Sequence, residues 1–178
     1  EKVIMATEQV NSANVDSFLA VPRLLDAEGE NPRALNLAKY LLEKAPSANG
    51  ALLIAELSRD HEPRAIIEQL RAADERYPDN AAIKIELASK LLELGETEAA
   101  ATYLRLAMQN SPTAPQAHFA LAQIYWQREQ TDLALSRLEH TLTLAPQLCD
   151  AQQKRNQWQT QLGLPPSNLS EHCQESSQ

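Results

Sequence analysis

Six residues have side chains suited to nucleophilic attack, proton transfer or soft-metal ligation: His61, His118, His140, His172, Cys149 and Cys173. Their spacing argues against each chemistry. The histidines fall in four different stretches, none beside a nucleophile it could activate, so all four read as solvated surface. His172-Cys173 offers two adjacent donors where zinc takes four convergent ones. Carboxylate pairs such as Asp74-Glu75 and Glu96/Glu98 fall at helix ends or turns, where the helix dipole accounts for acidic side chains near an N-terminus. Four glycines are too few for a phosphate-cradling loop. The sequence therefore predicts no catalytic residue, no metal site and no cofactor, and the chain does not read as an enzyme.

The two cysteines lie 24 positions apart and read most simply as unrelated thiols. A disulfide between them would pin the tail and stabilise the fold by about 3 kcal/mol in an oxidising compartment. Net charge is −8, from 16 Lys plus Arg against 24 Asp plus Glu, and such a surface repels nucleic acid and anionic lipid. No apolar run reaches the roughly 20 residues of a membrane helix, so no membrane insertion by this chain is expected. The chain opens Glu1-Lys2-Val3 rather than on Met, which suggests a segment removed upstream and keeps an exported or membrane-tethered parent open. The compartment, cytoplasmic or periplasmic, stays open with it.

What would position any functional side chain is a repeat. Prolines stand at Pro46, Pro78, Pro112 and Pro146, spaced 32, 34 and 34, and seventeen residues before each comes a turn position: Gly29, His61, Gly95 and Glu129. Apolar residues at helical spacing fill the stretches between. Each period is thus a helix, a turn, a second helix and a proline that stops it. In Ala81–Ala114 the apolar places are Leu87, Ala88, Leu91, Ala100, Leu104 and Ala107. In Pro115–Leu148 they are Leu121, Ala122, Tyr125, Ala134, Leu138 and Thr141. Small residues at Ala88, Ala100 and Ala122 let helix backbones approach closely.

This pattern resembles the tetratricopeptide repeat, a 34-residue helix–turn–helix with Trp, Leu, Gly, Tyr, Ala, Phe and Pro at set places. The Trp place holds Lys84 and His118 here, and Ala stands for Gly. The resemblance implies an all-α, right-handed α-solenoid of bacterial type with a C-terminal capping helix. The expected divisions are an N-terminal extension (1–14), a degenerate repeat (15–46) and three clearer repeats (47–80, 81–114, 115–146). A capping helix (147–163) and a disordered tail (164–178) follow. Pro22 should bend or shorten the first helix of the degenerate repeat.

The resemblance also implies a concave groove lined by the first helix of each repeat. Its candidate contacts are Arg59, Ile85, Ser89, Leu92, Gln116, Phe119, Gln123, Trp126 and Gln127. Places that would form a carboxylate clamp hold Ala51, Ala55, Ala82 and Glu86, so that clamp is absent. Phe119 and Trp126, seven residues apart, share a face that either meets a partner or packs on the capping helix. The expected function is a non-enzymatic protein–protein interaction module, an assembly or scaffold factor holding a partner's peptide or helix. The rivals are self-association, as a homodimer for example, and a regulatory segment whose catalytic part lies upstream.

Overall fold

The computed structural model describes residues 10–170 and Cys173, and among them every regular element is a helix. In chain order these are α1 (Val15–Phe18), α2 (Ala20–Ala27), α3 (Asn31–Lys44), α4 (Ala48–Leu57), α5 (Pro63–Arg76), α6 (Ala81–Glu93), α7 (Thr97–Asn110), α8 (Pro115–Gln127), α9 (Thr131–Leu144) and α10 (Cys149–Gln161). Most of the N-terminal extension lies outside the described residues. The helix expected to suffer from Pro22 is split into α1 and α2 at Leu19. Proline cannot donate to the carbonyl four residues back, so the helix restarts at Ala20, with Pro22 in a first turn that needs no such donor.

The chain divides into two compact units, the first ending at Glu96 and the second beginning at Thr97. In the first, α3 packs on α2 and α4, and α5 packs on α4 and α6. Its core joins Leu19, Ala34, Leu35, Ala38, Leu41, Leu53, Ile54 and Leu57. In the second, α8 packs against α7 and α9, and α10 packs on α9. Its core includes Ala122, Ala134, Leu138, Leu142, Ala151 and Trp158. Alanines at the crossings are fully buried, as close backbone approach requires.

The same helix stop recurs four times. Gly29, Gly95 and Gly163 take φ of 81°, 75° and 72°, and Glu129 takes 60°. At each, the next residue donates back to the carbonyl five positions earlier: Glu30 to Leu25 (2.8 Å), Glu96 to Leu91 (2.9 Å), Gln130 to Tyr125 (2.9 Å) and Leu164 to Gln159 (2.8 Å). This is a Schellman stop, whose left-handed residue satisfies carbonyls the helix leaves open. Glu129 occupies the left-handed position with a side chain, against the usual preference for glycine there.

A second recurrence explains the missing tryptophans. Lys84 donates to the carbonyl of Pro78, the Nε2 of His118 lies 2.9 Å from the carbonyl of Pro112, and the Gln152 amide donates to the carbonyl of Pro146. Each residue stands six places after its proline, and all three are buried. Each satisfies a carbonyl at the helix-terminating proline, and Lys84 also reaches Asp74. His118 thus departs from the expectation of solvated histidines. It is only 3% exposed, because it fills a core position, while His61 and His140 are exposed as expected. His172 lies outside the described residues.

Burial is the main influence lowering the His118 pKa below the ordinary value, outweighing the Pro112 hydrogen bond that raises it. Its Nδ1 is buried without a partner, so a proton placed there would have no acceptor. A lowered folded-state value means the unfolded chain binds the proton more readily. The contribution is therefore complete above pH ~6.5 and lost as pH falls from there through the lowered value. In urea denaturation, His118→Gln should retain the carbonyl bond, as Gln152 does, and flatten this acid-side dependence. His118→Ala should cost about 2 kcal/mol at neutral pH, because it empties a buried position and removes the bond to the Pro112 carbonyl.

The last helix and tail require two corrections. Unrelated thiols were the simpler reading, but Cys149 and Cys173 form a disulfide with Cα atoms 5.1 Å apart. The tail was expected to be disordered from residue 164, yet through Ser170 it is bonded to α10. The Asn156 amide donates to the Ser167 carbonyl (2.8 Å) and its oxygen accepts from the Ser167 amide (3.0 Å). Gln152 accepts from the Ser170 amide (2.8 Å). With its Schellman stop and its proline-bonding Gln152, α10 is built as the first helix of a further repeat. The segment from Leu164 follows it where a second helix would come.

Candidate functional site

The sequence candidates divide between the two units. In the first, Ile85, Ser89 and Leu92 share a face of α6 by their spacing, with Ser89 exposed and the other two half-buried. Arg59, just past the end of α4, is already engaged. Its guanidinium makes two bonds to Asp26, at 2.8 and 3.0 Å. Those bonds, with a further one from Asn31, hold the Asp26 carboxyl below the usual carboxylate range. Asn31 also donates to the Leu57 carbonyl, so Arg59 belongs to a network tying the ends of α2 and α4 to the start of α3.

In the second unit, all the candidates are on α8. Gln116 and Gln127 are exposed, while Phe119, Gln123 and Trp126 are half-buried. Trp126 is committed to α10: its ring stacks on Trp158 with centroids 4.5 Å apart and planes 2° from parallel. Trp158 is 3% exposed and belongs to the core. Of the two alternatives for the shared face, Trp126 takes the packing one.

Phe119 and Gln123 instead open onto a cleft between α8 and α10. Its other lining residues are Asp150, Gln153, Lys154 and Gln157. One aromatic ring, three amides and one charge of each sign line it, and Lys154 donates to Gln157 at 3.1 Å. Carboxamides both donate and accept, so this lining can satisfy the alternating groups of a peptide backbone. The α10 contributors were missed because that helix read only as a cap. The signal was present: Gln152 stands six residues after Pro146, as Lys84 and His118 do after their prolines. Among the described residues no group of His, Cys, Asp and Glu could hold a metal ion, and no helix is long and apolar enough to cross a membrane.

The repeat geometry has counterparts among known proteins. A tetratricopeptide repeat family model matches residues 91–155. Among solved structures, a thermophilic TPR protein of Thermus thermophilus is 17% identical, with a TM-score of 0.71, over 84% of this chain and 83% of that one. PilF of Pseudomonas aeruginosa is 19% identical, with a TM-score of 0.74, over 85% of this chain and 70% of its own. MamA from Desulfovibrio magneticus RS-1, residues 41 to the end, is 11% identical, with a TM-score of 0.65, over 92% and 90%. No curated protein sequence matches. The chain carries a tetratricopeptide repeat match over part of its length. Its family signature lies in residues 91–155, and its all-helical fold is shared with these structures.

Proposed function

We propose that the protein is an assembly or scaffold factor whose second unit holds a segment of a partner protein in the cleft between α8 and α10. The observation that carries this reading is the lining itself. Phe119 offers an apolar contact, and Gln123, Gln153 and Gln157 offer amides that can pair with a peptide backbone. Gln116 and Gln127 extend the polar surface along α8. The α6 face bearing Ile85, Ser89 and Leu92 is a further contact surface of the first unit. Arg59 shapes that unit through Asp26. The reaction class is none: the cleft binds and does not transform. The disulfide favours an oxidising compartment, where such bonds persist.

Site-specific photo-crosslinking tests the reading. A crosslinker at Gln123 in the source cell should trap a distinct partner, and one at Gln109, on the exposed surface of α7, should not. Phe119→Ala should weaken the purified complex about 10-fold, the effect of a moderate hot spot, measured at a temperature where urea denaturation shows both proteins folded. If only a second copy of the chain is trapped, the module self-associates. If both positions trap the same proteins, the cleft is not the site.

A further inference from the structure

The first unit holds a cavity that the second-unit cleft does not involve. It has a volume of about 320 Å³ and lies among α3, α4 and α5. Leu42, Ile54 and Ala73 give it apolar walls, and the exposed Lys39, Gln69 and Arg76 stand at its mouth. No Asp or Glu lines it, although the chain has 24 of them and a net charge of −8. The Lys39 and Arg76 side chains have no ion-pair partner among the described residues.

The repeat explains why the space is open. Six residues before Pro146 stands His140, whose ring meets His118 edge-on at 4.4 Å. Six residues before Pro78 the same place holds Ala72, which lines the cavity with nothing beyond Cβ. The second unit thus has an aromatic ring at the repeat place where the first has only a methyl group. Interiors of repeats are otherwise close-packed, so this is a local departure.

We propose that the cavity docks an acidic segment of a partner protein carrying one large apolar side chain. The side chain fills the space over Ile54 and Leu42, and carboxylates on either side of it meet Lys39 and Arg76. The volume lies at the lower end of ligand pockets and suits a single Leu, Phe or Trp side chain rather than a drug-sized molecule. Two unpaired cations at the rim select the charge of the flanking residues and turn away basic segments.

The test uses the full chain with labelled Leu and Ile methyls, titrated with three probes: acetyl-Asp-Glu-Trp-Glu-Asp-amide, acetyl-Lys-Lys-Trp-Lys-Lys-amide and octanoate. The acidic peptide should shift the Leu42 and Ile54 methyls. The double variant Lys39→Glu/Arg76→Glu should weaken it by at least about 10-fold. Ala72→Trp and Ala72→Leu, at an exposed helix position, should close the cavity and abolish the shifts while helix content holds. Phe119→Ala should leave them unchanged, so this site can fail or stand independently of the second-unit cleft. Equal binding of the basic peptide, tighter binding of octanoate, no effect of charge reversal, or silent Leu42 and Ile54 methyls up to about 5 mM acidic peptide overturns the proposal.

Discussion

Trp158→Ala should destabilise the second unit by about 4 kcal/mol, the loss that follows from truncating a large aromatic side chain in a packed core. The indole is almost wholly buried, packs into the core formed with Ala122, Leu138 and Ala151, and stacks face to face on Trp126. Truncation removes its apolar burial and leaves a cavity too bounded by helices to collapse fully. Trp126→Ala should cost less, about 2 kcal/mol, because that ring is half-buried. The double variant should cost less than the sum, since stacked rings interact directly. Urea denaturation of the four proteins gives the cycle, and the near-ultraviolet circular dichroism of the stacked pair should disappear in either single variant. Full additivity would mean that the rings contribute independently.

Removing the disulfide has the second largest expected effect. Cys149→Ser/Cys173→Ser releases a link across 24 residues, worth about 3 kcal/mol of stability in the chain-entropy account. The loss has a definite place. The link fastens residues 164–170, a strap, to α10, where Ser167 bonds to Asn156 and Ser170 to Gln152. Reduction should therefore speed hydrogen exchange at the Ser167 and Ser170 amides well before those of α8 or α9 respond. A uniform rise across the second unit would mean that the strap and the helices unfold together. Gln152 couples the two regions, since its amide also donates to the Pro146 carbonyl beyond the end of α9.

Local signals made most of the repeat legible. Proline spacing located the ends of α3, α5, α7 and α9, because proline stops a helix by its own covalent structure. Gly29, Gly95 and Glu129 marked turns that the structure closes with left-handed residues. Buried Leu and Ala at helical intervals gave the core faces. Pro22 signalled the irregular entry at Leu19. Even the absence of tryptophan at its usual place was visible, though not what Lys84, His118 and Gln152 do instead.

The candidate site was less legible because its halves come from helices distant in sequence. Periodicity put Phe119 and Trp126 on one face of α8 but could not say which of them α10 would cover. The structure stacks Trp126 on Trp158 and leaves Phe119 beside Gln123 on the cleft. Arg59 likewise gave no sign of its engagement, since Asp26 lies 33 residues away.

Residue type and short-range spacing were enough to specify the helices, their stops and the repeat. The disulfide, the docking of the strap, the fate of each aromatic ring and the open space over Ile54 came instead from the packed fold. These depend on distances between chain-remote atoms, and short-range periodicity carries no information about them.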